Sequence, residues 1–233
     1  MRDSGVIDVI SLQTHGPTLT YRLVDELEEA GLDRINLSID SLTPRKATFL
    51  QGAQWFNVRK VVEVAEYIAS SSKIDLLLAP IHVPGLNDRD IEEIIRWGLS
   101  IGVGKKWMGF GIQKYVPHKH GRKPRGVRSW SWRKFYRWLR ELEERHNVKL
   151  ICRKEDFGIH SLPSAPKVYR VGEKVKVRVV CDGWLKGEKI GVPLDGKRVI
   201  TIIGASEIPL ESKITVRIIS NKDNIYLARP LTY

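Results

Sequence analysis

Two short polar runs, each closing an apolar strand-like segment, place hydroxyls and a carboxylate at strand ends. Thr14-His15-Gly16 follows VIDVISL (6–12), and Ser38-Ile39-Asp40-Ser41 ends RINLSID (34–40). Hydroxyls and a carboxylate at strand ends can hydrogen-bond the hydroxyl or ammonium groups of a ligand, although each taken singly is also an ordinary strand-end cap. Other groupings are weaker. His118-x-His120 pairs two ligating side chains, but no carboxylate or cysteine lies near them in sequence, and no metal site is read there. Asp88, Asp90, Glu92 and Glu93 fit a helix N-terminus, where the dipole favours acids. Gly109-x-Gly111 lacks the further glycine and helix of a dinucleotide loop, and neither G-x-S-x-G nor HExxH occurs. The two cysteines, Cys152 and Cys181, stand far apart and read as small buried hydrophobes of a reducing compartment. No catalytic residue is assigned from the sequence.

The elements that must position these residues alternate. Over residues 6–113 short apolar strands and amphipathic helices follow one another, the pattern of a parallel βα array. Strands are predicted at 6–12, 34–40, 74–83 and 107–114. Helices are predicted at Thr18–Ala30 with Gly31 as its stop, from Thr43-Pro44 with threonine as N-cap, at Val58–Ala69, from Asn87 or Asp88 to Ser100, and at Arg133–His146. Val148–Cys152 is expected to add an edge strand. Residues 156–167 read as a Pro- and Ser-containing linker. From Val168 onward the period changes to β-branched alternation between Gly and Asp turns, and a small antiparallel barrel of oligonucleotide-binding-fold size is expected.

Charge adds a partner class. The 233 residues carry a formal net charge of +12, which favours polyanions and above all nucleic acid. Between Lys114 and Arg140 there are ten Lys or Arg and no acid, with His118, His120 and aromatics interleaved. One reading is a solvated loop leading into an amphipathic helix. The other is an RNA contact surface through Lys119, Arg122, Lys123, Arg125 and Arg128. Both hold together if Trp132, Phe135, Tyr136 and Leu139 face a core and the arginines face outward. Trp138 suits either base stacking or the core. Residues 166–233 hold 13 basic and 7 acidic residues, a net of +6. No apolar run is long enough to span a membrane and no signal peptide is visible, so a cytoplasmic protein is expected.

In order and spacing, Thr14-His15-Gly16, Asn36-Leu37-Ser38-Ile39-Asp40-Ser41-Leu42, APIHVPGLNDRDIEEI (79–94) and MGFGIQKY (108–115) resemble the third to sixth strands of a radical S-adenosylmethionine (radical SAM) barrel. The resemblance implies an α/β unit, a truncated (β/α) partial barrel of strands 3–6, over residues 1–155. It places Thr14, Ser38 and Asp40 near the amino-acid or ribose part of S-adenosylmethionine and Gly111, Ile112 and Gln113 beside its adenine. Family members hold a [4Fe–4S] cluster on a CxxxCxxC loop after their first strand. With Met1 a few residues before the third strand and only two cysteines, no cluster is expected on this chain alone. A separate amino-terminal radical SAM chain is expected to bring that loop, and VIDVISL would otherwise present an open apolar edge.

The all-β part, 168–233, resembles a TRAM domain, a small OB-like RNA-binding barrel appended to some radical SAM enzymes that modify tRNA. The resemblance rests on Val171-Gly172-Glu173, Gly183, Asp195-Gly196-Lys197-Arg198, Pro209 and Ile225-Tyr226-Leu227-Ala228-Arg229. It implies RNA contacts from Lys174, Lys176, Arg178, Lys186, Lys189, Arg198 and Arg217. An ordinary basic barrel used for dimer contacts is the alternative. The succession of parts is similar to an archaeal group of radical SAM proteins. Two functions stay open: the C-terminal part of a radical SAM iron–sulfur enzyme acting on RNA, or a non-catalytic RNA-binding protein using the barrel and the basic stretch.

Overall fold

The computed structural model describes residues 7–117, 121–159 and 166–231. The chain divides into two compact units, Met1–His160 and Ser161–Tyr233. Among the described residues, no helix is long and apolar enough to cross a membrane.

The first unit is a parallel βα array. Strands β1 (Ser11–Thr14), β2 (Arg34–Leu37) and β3 (Asp75–Leu78) form one parallel sheet in that order. The array continues through a parallel bridge from Leu78 to Phe110 and a short pair, β4 (Ile81–His82) with β5 (Gln113–Lys114). The strand predicted at 74–83 is therefore interrupted at Ala79-Pro80. Proline has no N–H to give a ladder, and the next donor, Ile81 N, goes to the carboxylate of Asp40 at 2.7 Å. Helices α1 (Tyr21–Glu29), α2 (Pro44–Gln51), α3 (Val58–Ser71), α4 (Asp88–Ile101) and α5 (Trp132–His146) occupy the intervals.

The helix ends follow their capping chemistry. The hydroxyl of Thr20 accepts from Leu23 N and starts α1, while Gly31, at φ +86°, takes the left-handed turn beyond its end. Thr43 stands at the N-cap of α2 but makes no side-chain cap bond; its own N–H donates to Ser41 instead. On α5, Phe135, Leu139 and Leu142 are buried, whereas Trp132 and Tyr136 are exposed, so the core-facing set predicted there is only half right. The buried side centres on residues 135, 139 and 142. Tyr136 lies about a quarter turn from it, and Trp132 in the first turn overhangs its end.

No strand forms at Val148–Cys152. Leu150 N and Ile151 N both donate to Glu143 Oε1, at 2.7 and 2.8 Å, so a side chain of α5 takes the bonds an edge strand would have offered. One face of the array packs against the helices through Ile35, Leu37, Ile39, Leu76, Leu78, Phe110 and Ile112. Because side chains alternate along a strand, the opposite face carries Gln13, Arg34, Asn36, Ser38, Asp40 and Gln113.

The second unit is a closed five-stranded barrel, β10-β8-β7-β6-β9, of β6 (Lys174–Asp182), β7 (Lys189–Pro193), β8 (Ile200–Ile202), β9 (Lys213–Ser220) and β10 (Tyr226–Pro230). Its neighbours are antiparallel except β8 and β10, which run parallel. A ring of five strands cannot alternate direction all the way round, so the fully antiparallel expectation is corrected by parity. The closing order, first-second-third-fifth-fourth, is that of a Greek-key OB-like barrel. The KIGVP of β7 carries a glycine and a proline, both weak strand formers. Gly191 is needed there, since a Cβ would meet Ile202 Cδ1 at 2.8 Å across the narrow interior. Val175, Val177, Val179, Ile200, Ile202, Val216, Ile218 and Tyr226 fill that interior.

Candidate functional site

Ligands of parallel α/β arrays bind beyond the carboxyl ends of the strands, and there the polar residues gather. After β1 the chain turns at Thr14-His15-Gly16. Thr14 Oγ1 accepts from Gly16 N at 3.0 Å, and Gly16 sits at φ +81° with Leu37 and Val61 so near that a Cβ would meet both at 2.9 Å. Thr14 thus caps its own turn. His15 Nδ1 donates to the Ser38 carbonyl oxygen at 3.2 Å, and Gln13 Nε2 donates to Ser38 Oγ at 3.2 Å.

Asp40 follows β2 and is buried. Its carboxylate accepts from Ile81 N at 2.7 Å and from Gln51 Nε2 at 3.3 Å. Burial pushes its pKa above the ordinary carboxylate value, against the Ile81 N–H and the charge of His15, which pull it down. Asn87, fully buried, clamps the turn beyond. It accepts from Val83 N at 2.7 Å and donates to the Asp40 carbonyl at 3.0 Å and the Ile81 carbonyl at 2.9 Å. Asn87 therefore stands at the N-cap of α4 without capping it.

The acids opening α4 do more than favour its dipole. Asp88 accepts from Gly85 N at 2.6 Å and from His82 Nε2 at 3.0 Å. Asp90, buried, accepts from Ser41 Oγ at 2.5 Å and pairs with Lys46 at 2.7 Å. His82 stacks on Trp138 at 4.0 Å between ring centroids and meets Trp130 edge-on at 4.7 Å. Burial lowers its pKa, against the pull of Asp88. Trp138 is thereby assigned to this packing.

A cleft of about 420 Å³ opens on this end of the array, lined by Asp40, Ile81, Gln113, Lys114, Tyr115 and Arg122 among others. It brings together the predicted cofactor residues Asp40 and Gln113 with the predicted RNA residue Arg122. The Arg122 guanidinium lies 5.1 Å from the Phe49 ring and donates to the Leu50 carbonyl at 3.4 Å. Lys114 donates to Ser129 Oγ at 2.7 Å. Ser38 is buried and does not line the cleft; Gly111 packs on Leu77, and Ile112 is in the apolar core. Lys123, Arg125 and Arg128 are exposed on the following loop. Lys119, with His118 and His120, lies outside the described residues. Sequence reasoning missed Gln13, Asn87 and Lys114. Locally Asn87 has only the signature of a helix cap, whereas its amide reaches 47 residues back to Asp40.

A [4Fe–4S] cluster does not fit this chain's own thiols. Cys152 belongs to the first unit and Cys181 to β6 of the second. Burial, with Asp156, pushes the Cys152 thiol up to about 11, away from the thiolate that binds iron. Among the described residues, no group of three or more His, Cys, Asp or Glu is placed to hold a metal ion.

On the barrel, Lys174, Lys176, Arg178, Lys186 and Arg217 are exposed. Lys189 is largely covered and pairs with Asp182 at 2.5 Å; Arg198 is half-buried and donates to the Lys197 carbonyl. Arg178 is paired with Glu211 at 3.0 Å. The seven predicted residues therefore do not form one equivalent set of free cations.

Residues 3–98 match the Radical SAM superfamily. Over 94% of its length the chain is 41% identical to an uncharacterized protein of Methanocaldococcus jannaschii, of which it covers 54%. Over 43% of its length it is 33% identical to the GTP 3',8-cyclases of Brucella abortus and Brucella suis, covering 28% of each. The chain thus spans about half the length of the archaeal relative and a smaller share of the cyclases. Similarity to the Radical SAM superfamily is thus confined to residues 3–98, within the first unit, and the five-stranded barrel lies beyond the matched residues.

Proposed function

We propose that this chain is the S-adenosylmethionine-facing and RNA-binding part of a radical SAM enzyme acting on RNA, with the cluster cysteines supplied by polypeptide outside these 233 residues. The observation that carries this reading is the single cleft shared by Asp40, Gln113, Lys114 and Arg122. Carboxylate and amide acceptors there suit the ammonium and hydroxyl groups of S-adenosylmethionine, with Ser38 supporting them. The cations on the same rim suit a phosphodiester substrate. The cofactor would supply the radical chemistry; this chain's residues bind, orient and exclude water. The closing barrel, TRAM-like in this reading, holds the RNA.

The test uses labelled S-adenosylmethionine in equilibrium dialysis with the chain, alone and anaerobically with a polypeptide bearing a CxxxCxxC loop. Asp40→Ala is expected to lower retention at least tenfold where the wild type binds. Absence of binding in both settings would sink the enzyme reading.

A second reading is favoured by the cysteine count and the poor thiolate character of Cys152. In it the chain is a non-catalytic RNA-binding protein. RNA affinity that persists with no S-adenosylmethionine binding in any setting selects it.

A further inference from the structure

The barrel has one side whose charge cannot be explained by its own stability. Along β6 the residues alternate in and out, with Val175, Val177 and Val179 buried and Lys174, Lys176 and Arg178 exposed. The outward positions of β9 include Lys213 and Arg217, and those of β10 are Leu227 and Arg229. No outward position over Lys174–Arg178, Lys213–Ser220 or Tyr226–Pro230 is acidic.

The strand register makes these cations neighbours. Lys174 lies opposite Arg217, Arg217 opposite Arg229, and Arg178 opposite Lys213. Adjacent strands are about 4.8 Å apart, and like charges directly opposite each other destabilise a sheet. Arg178 is relieved by Glu211. Arg217 has a 3.3 Å bond to the Gly172 carbonyl, and among the described residues Lys174 and Arg229 make no ion pair.

The row runs into a groove. Ile203 N donates to the Ala228 carbonyl, which sets Ile203 beside Arg229 across β8 and β10. These two, with Ser206, Glu207, Ile208 and Pro230, line an open groove of about 680 Å³. At one end the β6–β7 hairpin touches it: Ala205 N donates to the Gly187 carbonyl at 2.8 Å. That hairpin presents Trp184, 71% exposed, followed by Leu185 and Lys186.

We infer that this side of the barrel, the row Lys174–Arg217–Arg229 with its adjoining groove, is the track on which a single-stranded RNA segment lies. Phosphates take the cations and relieve their mutual repulsion. An unpaired base lies on the apolar groove floor of Ile203, Ile208 and Pro230, which a duplex could not offer its stacked bases to. The cationic row lies on β6, β9 and β10, the first, fourth and fifth strands, rather than on the second- and third-strand face through which OB-like barrels bind oligonucleotides, and the groove adjoins the end of β8. This inference rests on the RNA reading proposed above.

The test is fluorescence anisotropy of the full chain with a labelled, unstructured oligoribonucleotide and with a duplex RNA, across about 50 to 200 mM salt. Two variants are compared with wild type: Lys174→Gln/Arg217→Gln/Arg229→Gln, and Arg122→Gln/Lys123→Gln/Arg125→Gln/Arg128→Gln on the first unit. At about 0.7 in the log–log salt slope per phosphate contact, the barrel variant is expected to lose about 2 from the single-strand slope. Its thermal transition is expected to stay or rise, because repulsion is removed. An unchanged slope in the barrel variant, with the wild type still binding, overturns the track and leaves the RNA reading intact. Equal wild-type affinity for the duplex overturns the single-strand assignment. A wild type that shows no salt-dependent RNA binding removes both.

Discussion

The two units keep their polar chemistry in opposite places. In the α/β unit it is inside: Arg34, Ser38, Asp40, Ser41, Ser72, Asp75, His82, Asn87 and Asp90 are buried, and all the buried polar and charged side chains among the described residues belong to this unit. In the barrel it is outside, over a core of valine, isoleucine, alanine and two tyrosines. Buried polar groups cost free energy unless each finds a partner. The first unit carries that cost in a web of long-range bonds, while the second avoids it. An interior polar web suits an enclosed small ligand whose groups must be matched one by one. An apolar barrel with a cationic exterior suits a long, flexible polyanion.

The comparison would break most visibly at Asp75. Its carboxylate, buried, accepts from Lys105 N, Lys106 N and Trp107 N at 2.8, 3.0 and 2.7 Å. It is also a favourable charge for Arg34, whose guanidinium lies 5.3 Å from the Trp107 and Phe157 rings. Asp75→Ala is expected to cost the α/β unit about 4 kcal/mol, read by calorimetry as a drop in one transition. A coincident drop in a barrel transition would show that the units do not melt independently. The matched experiment on the barrel is Ile202→Ala, which removes a fully buried side chain. A loss of about 3 kcal/mol is expected in the barrel alone.

Sharper still is the response to pH at Asp40. Its folded pKa lies above the ordinary 3.8, so the folded unit holds the proton more readily than the unfolded chain does. Its contribution is present in full at pH below 3.8 and is lost as pH rises through the folded value. Asp40→Asn should therefore stabilise the unit at neutral pH, with the advantage shrinking toward pH 3.8 in urea melts. A destabilised variant at neutral pH would show that the Ile81 bond outweighs the burial of charge. The smallest effect is expected from Glu211→Gln, which breaks an exposed pair with Arg178. A change below about 0.5 kcal/mol is predicted for the barrel transition.

What was legible in the sequence was whatever is local. The alternation of Lys or Arg with Val over 174–179 gives β6 its inside and outside, and Gly31 after an amphipathic run gives α1 its end. Pairing over distance was not legible. Nothing near Glu143 announces that its carboxylate will take the N–H groups of Leu150 and Ile151 and cancel a strand. Nothing near Asn87 announces that its amide will reach the Asp40 carbonyl. Asp40 and Gln113 could be named from the resemblance, yet Arg122 at the same cleft came from charge alone. Two unconnected lines of reasoning met at one place only in three dimensions. β7 is hidden for the opposite reason, because a strand whose glycine serves the packing of its neighbours looks locally like a turn.

The parallel seam between β8 and β10 also bears on how the barrel is made. β10 follows the other four barrel strands in sequence, and it pairs with β8 on one side and β9 on the other. Until Tyr226–Pro230 leaves the ribosome, the four earlier strands can form only an open sheet with β8 and β9 as bare edges. Such edges template association with other chains. Closure is thus a late, non-local step during synthesis, and a chain stopped before Tyr226 would emerge with both edges unprotected and ready to aggregate.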